Sequence, residues 1–166
     1  MAGAEKGLVA ARLSQILRQA TPVDSQLGYS PAMRYMLDTT VCIYLIKNRP
    51  PQVLRRLETL NQGDAVMSVV TYAELRAGLE MQSLNRAQDE HALLLLVSRI
   101  PVLPFTQSDA ESFGVLRAAV RDRSRNAMDR LIAAHAVNSG LSLVTNNEAD
   151  FKDYPGLVVE NWALSA

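Results

Sequence analysis

Short apolar runs rich in branched and aromatic residues alternate along the chain with longer stretches in which apolar positions recur every three or four residues. The short runs, "RYML" (34–37), "AVMSVV" (65–70), "PVLPF" (101–105), "LSLVTN" (141–146) and "LVVEN" (157–161), predict strands. Between them, 40–48 "TVCIYLIKN", 50–60 "PPQVLRRLETL", 72–82 "YAELRAGLEMQ", 84–100 "LNRAQDEHALLLLVSRI", 107–123 "QSDAESFGVLRAAVRDR" and 128–140 "MDRLIAAHAVNSG" predict helices. Strands separated by helices imply βαβ crossovers, hence a doubly wound α/β domain whose parallel sheet is covered by helices on both faces. In such sheets ligands bind beyond the carboxyl ends of the strands, so the side chains placed there decide the chemistry.

Ahead of this pattern lies a different one. Residues 1–32 hold a helix-like stretch with Val9, Leu13, Ile16 and Leu17 at helical spacing, followed by a linker containing Pro, Gly and Ser. The reading is an N-terminal helical extension and linker over 1–32 and one domain over 33–166. With 166 residues and 48% hydrophobic content, a single well-formed core is expected. Seventeen basic and seventeen acidic residues cancel, so no global field draws in a polyanion, and contact with nucleic acid would need a local patch or a metal. The one cysteine, Cys42, sits in the apolar run "VCIYLIK" and reads as a small buried hydrophobe, in keeping with a reducing cytoplasm. The longest apolar stretches, "VCIYLI" (41–46) and "ALLLLV" (92–97), fall far short of the ~20 residues that span a bilayer, so no membrane association is expected.

Four acids stand at or near predicted strand ends, and each has two readings. Asp38 follows the first strand and could simply cap the next helix. Glu74 closes "TYAE" (71–74), which fits a capping box with Thr71. Asp129 opens the helix "DRLIAAHAVNSG", where a carboxylate complements the dipole, yet that helix is apolar on nearly every side and belongs in the centre of the domain. Asp150, in "TNNEADF", could be an ordinary turn residue. His135, inside the apolar helix, reads as a satisfied core histidine, and with His91 the only other one, a His-based metal site or a Ser-His-Asp triad is disfavoured. Taken together, four carboxylates at one edge of a sheet repel unless a cation sits among them. Oxygen ligands without Cys or His favour Mg²⁺ or Mn²⁺, which can activate water against a phosphodiester.

The segments "YMLDTTVCIYLIKNRP", "SVVTYAELRAG", "MDRLIAAHA" and "LVTNNEADF...PGLVVENW" resemble a PIN-domain ribonuclease of the VapC toxin type, from about Arg34 to Trp162. The resemblance implies a PIN-like fold and an Mg²⁺-dependent endoribonuclease of a toxin–antitoxin pair, acting in the cytoplasm on RNA, notably tRNA. It further implies a VapB-like antitoxin whose tail covers the acidic cleft, a homodimer, and a catalytic and metal-binding quartet of Asp38, Glu74, Asp129 and Asp150. Two departures from the family pattern stand out. Thr40 replaces the usual Asn of "DTN", and "RDRSRNAMD" (121–129) lacks the glycines and proline of the loop that delivers the third acid.

Those departures keep a second reading open, a catalytically impaired PIN scaffold that binds RNA or antitoxin without cleavage. A signalling receiver domain also carries acids at strand ends, but it needs a lysine at a late strand end, and "LSLVTNN" offers none. Arg121, Arg123 and Arg125 crowd the loop before Asp129 and either complement a helix end or grip RNA phosphates. In the second case, changing all three to Gln flattens the log–log salt dependence of RNA affinity by up to ~2 units, with metal affinity unchanged. Affinities measured at several salt concentrations test this, and parallel slopes for the two proteins exclude phosphate contact.

Overall fold

A computed structural model of the chain describes residues 33–82, 85–120, 126–151 and 153–164. The expected extension over 1–32 lies outside them. Five strands, β1 (Tyr35–Leu37), β2 (Ala65–Ser68), β3 (Val102–Leu103), β4 (Ser142–Val144) and β5 (Val159–Glu160), form one sheet in the order β3-β2-β1-β4-β5. Every neighbouring pair is parallel. The connections are α1 (Thr39–Lys47), α2 (Pro51–Glu58), α3 (Val69–Gln82), α4 (Arg86–Arg99), α5 (Gln107–Ala119), α6 (Ala127–Asn138) and the single turn α7 (Glu148–Phe151).

The strands are short, and β1 and β2 are buried on both faces, which is why they read as apolar runs. Alternate residues feed two cores. Tyr35, Leu37, Ala65, Met67 and Val144 face α1, α2 and α4, whereas Met36, Val66, Leu103 and Leu143 face α5 and α6. Successive connections first carry the chain from β1 to β2 to β3 across one face, then return it through α5 and α6 on the other face to β4. The direction of travel therefore reverses between β1 and β4, and the helices leaving these strands diverge at their carboxyl ends.

Local signals set the helix ends. Asp38 caps α1 by accepting the Val41 N–H at 2.7 Å, and Asn48, in the left-handed region at φ 50°, closes it. Thr106 and Asp109 form a reciprocal capping box on α5, and Asn126 caps α6 by accepting the Met128 N–H at 3.1 Å. Gly140, at φ 66°, turns the end of α6 into β4. Several predicted bounds shift: "PVLPF" contributes only Val102–Leu103 as strand, and the helix expected over 107–123 is described to Ala119.

Leu143, fully buried in the inner strand β4, is a sensitive probe of the packed sheet. Leu143→Ala should cost about 2–5 kcal/mol in denaturant unfolding, while Val158→Ala, at a largely exposed position, should stay within about 0.5 kcal/mol. Equal effects at the two sites would contradict this assignment of the core.

Candidate active site

The register fixes where the first acid stands. Leu37 pairs with Val144 on one side and Met67 on the other, so the next residues, Asp38, Thr145 and Ser68, come together at the carboxyl ends of the three central strands. All three are buried. Asp38 Oδ2 accepts from the Thr145 hydroxyl while Oδ1 accepts the Val41 N–H. Its backbone N–H donates to Val144 O at 3.0 Å. Burial pushes the Asp38 carboxyl above its ordinary range, the hydrogen bonds from Thr145 and Val41 pull it back, and the negative field of Glu74 raises it again. Asp38 is thus both the helix cap and a member of the site, and the two readings of the sequence do not exclude each other.

Glu74 has a different setting from the one its local pattern suggests. Helix α3 starts at Val69, directly after β2, and Ser68 Oγ accepts the Val70 N–H at 3.1 Å. Thr71 is therefore inside the helix, its hydroxyl turned toward Leu37 O at 3.5 Å, and the Thr71–Glu74 capping box does not form. Glu74 instead accepts from the hydroxyl of Thr39, in the first turn of α1. This contact joins α3 to the end of β1.

Asp129 occupies the first turn of α6, as expected, with Ile132, Ala133, Ala134, His135 and Ala136 buried beneath it. Asp150 lies on α7 rather than in an open turn, and its Oδ2 accepts from Asn147 Nδ2. Glu74, Asp129 and Asp150 are all half-buried. Burial, followed by the fields of Glu74, Asp150 and Asp38, lifts the Asp129 carboxyl to about 6. The four acids thus act on one another although they come from four separate stretches of chain. Among the described residues no three of them close into a ready-made metal cage. Oxygen donors of this kind, short of a full shell, suit a hard divalent ion that retains several waters.

The remaining sequence candidates fall as follows. Cys42 is fully buried in the core, and His135 is buried with a ring hydrogen bond, both as expected. His91 is exposed on α4, and Thr40 is half-buried in the first turn of α1. Arg121, Arg123 and Arg125 lie outside the described residues. Sequence reasoning missed the hydroxyls of Thr39 and Thr145 and the amide of Asn147, which orient Glu74, Asp38 and Asp150. A hydroxyl or amide just past a strand end and beside an acid is the available signal, but pairing Thr145 with Asp38 across 107 positions requires the sheet register.

Comparison with known proteins agrees with this geometry. The PIN domain family matches residues 35–157. A tRNA(fMet)-specific endonuclease VapC from Shigella flexneri is 38% identical over 136 residues, covering 79% of this chain and 99% of that protein. Ribonuclease VapC2 from Rickettsia felis is 34% identical over 133 residues, covering 78% and 98% respectively. Among solved structures, VapBC2 from Rickettsia felis bound to a promoter DNA fragment superposes with a TM-score of 0.72 at 33% identity, covering 78% of this chain and 99% of that one. DNA-bound VapBC from Salmonella typhimurium gives a TM-score of 0.72 at 35% identity, with 78% and 98% covered.

The raised Asp129 carboxyl makes a pH-dependent prediction. Its folded value of about 6 exceeds the ordinary value of 3.8, so between these the folded state binds more protons and stability falls as pH rises through the window. In the presence of chelator, Asp129→Asn should therefore melt higher than the unsubstituted protein at pH 7.5, and the difference should vanish near pH 4. Identical melting temperatures at pH 7.5 would remove the basis for mutual repulsion among these acids.

Proposed function

The chain belongs to the VapC family of PIN-domain ribonucleases, and on that premise we propose that it is an Mg²⁺-dependent endoribonuclease toxin that cleaves tRNA and so inhibits translation. The observation that carries the proposal is the mutual field of Asp38, Glu74, Asp129 and Asp150 at the strand ends flanking the reversal of the sheet. The name of the Shigella flexneri relative supports tRNA as the substrate class, and the solved VapBC complexes support a VapB-like antitoxin as partner. Assembly as a homodimer and a cytoplasmic location belong to the same proposal. Among the described residues no helix is long and apolar enough to cross a membrane.

The donor set fits a divalent ion, with Mg²⁺ first and Mn²⁺ as an alternative, because it consists of carboxylates alone, whose negative fields add at Asp129. Asp38, Glu74, Asp129 and Asp150 would hold it, and when bound it would supply charge neutralisation at the phosphate and an acidified water. The chain's own groups prepare this state. The Val41 N–H and the Thr145 hydroxyl hold both oxygens of Asp38, so that its lone pairs keep one orientation despite burial. Thr39 fixes Glu74, and Asn147 fixes Asp150. These donors to the carboxylates are neutral, so the carboxylates are oriented without their charge being cancelled. Asp129, near 6 without metal, is largely ionised at neutrality and holds its proton below about pH 6, so ion binding would be linked to proton release in that lower range.

Purified protein incubated with total RNA and with isolated initiator tRNA, with and without Mg²⁺, followed by mapping of new 5′ ends, tests the proposal directly. Cleavage should require the ion. Asp38→Asn, Asp129→Asn and Glu74→Gln should each lose more than the ~10–100-fold that removal of an outer-shell partner costs, with the fold retained. Glu74→Gln is the most discriminating, since the amide oxygen still accepts from Thr39 and only the charge is lost. Wild-type rates in any of the three would refute the site. Ion binding without cleavage by the unsubstituted protein would instead identify a binding scaffold.

A further inference from the structure

Three polar side chains outside the carboxylate quartet are sealed in the interior and face one another. Ser68 ends β2, His135 lies in the third turn of α6, and Asp109 lies in the first turn of α5, all buried. Strand alternation turns Ser68 toward the same face as Val66, the face that α6 covers. There His135 Nδ1 stands 2.9 Å from Ser68 Oγ, and Nε2 stands 3.9 Å from Asp109 Oδ2. Asp109 is itself held by the Thr106 N–H at 2.6 Å, the Thr106 hydroxyl at 2.7 Å and Asn138 Nδ2 at 2.8 Å. Phe105 meets the imidazole edge-on at 5.5 Å.

Ser68 Oγ accepts the Val70 N–H and still has its own proton to give, and the arrangement suits a neutral ring that accepts this proton at Nδ1. The ring then carries its hydrogen on Nε2, toward the Asp109 carboxylate. Burial holds the imidazole below its ordinary value, with Asp109 opposing only in part, and this agrees with the neutral tautomer. The order Ser-His-Asp invites comparison with a hydrolase triad, but Ser68 has no accessible surface, so no substrate can reach its hydroxyl.

Ser68 immediately precedes α3, which bears Glu74, and His135 lies six residues, or about 9 Å along the axis, from Asp129 on α6. The rest of the buried α6 face includes Ala133, Ala134 and Ala136, whose small side chains permit close approach but give little directional hold. A hydrogen bond is directional and does resist sliding and rolling. We propose that the buried Ser68–His135 hydrogen bond, with Asp109 facing the far ring nitrogen, is a positioning relay that fixes α6 against the β2–α3 junction and thereby sets where Asp129 stands relative to Glu74. The inference rests on the reading of these acids as metal ligands.

Mn²⁺ affinity, measured by calorimetry, and amide hydrogen exchange at Ile132–Ala134, in the second turn of α6, test it in full-length Ser68→Ala, His135→Leu, His135→Asn and Ile132→Val proteins. Ser68→Ala and His135→Leu should bind Mn²⁺ about 10–100-fold more weakly, as loss of outer-shell support does, and exchange faster in that turn. His135→Asn places an amide oxygen near the former Nδ1 and should recover most of the affinity. Ile132→Val loosens the same helix without touching the relay and should leave Mn²⁺ binding unchanged. Wild-type affinity in Ser68→Ala and His135→Leu, or an equal loss in Ile132→Val, would overturn the relay. If Asp129→Asn binds Mn²⁺ as well as the unsubstituted protein, the metal-site reading has failed. Exchange at Ile132–Ala134 then decides the relay alone, and unchanged protection in Ser68→Ala and His135→Leu overturns it.

Discussion

A carboxylate taken out of water must be met by donors or give up its charge, and Asp38 is buried where the sheet reverses direction. Its donors come from α1, which it caps, and from the residue after β4, which is its lateral neighbour only because β1 and β4 are paired. Satisfying this one group therefore ties together the strand, the helix that follows it and a segment more than a hundred residues later. The remaining acids gather around that point. Glu74 is drawn in by Thr39, the very next residue after Asp38, so the geometry of the second acid is inherited from the first.

Repulsion and fold are balanced by the kind of donor used. Arg or Lys in place of Thr39, Thr145 and Asn147 would relieve the strain among the acids and leave nothing for a cation to compensate. Hydroxyl and amide donors instead orient the carboxylates and preserve their charge. The protein stores unfavourable charge in one region and holds that region with a core on each face of the sheet. At Asp129 burial and the fields of the other three acids add, and its helix cannot move away from the site without exposing Ile132 and the alanines beside it.

Much of this was legible in the residues. The apolar run that stops at Asp38 marked the end of β1, and the alternation of such runs with helical stretches revealed a parallel sheet with two covered faces, which the strand pairing bears out. Asp38 and Asp129 sit on the elements expected for them. The Thr71–Glu74 pattern misled because a cap was already available three residues upstream: Ser68 takes the Val70 N–H, and the helix begins before Thr71 can cap it. The orienting threonines and the buried Ser68–His135 contact were not legible, since each joins residues far apart in sequence that only the strand register and helix docking bring together. Strand order itself depends on which face each connection crosses, and local pattern carries no such information.

Both margins of the sheet are stubs of two residues, β3 at one side and β5 at the other. A strand that short exposes too few backbone groups to template an added strand, and Pro101 and Pro104 flanking β3 and Glu160 within β5 add to that guard against edge-to-edge polymerisation. It also means that a partner chain gains little by β-augmentation here, and recognition has to be written in side chains on helices and at the strand ends, where individual substitutions can rewire which partner fits.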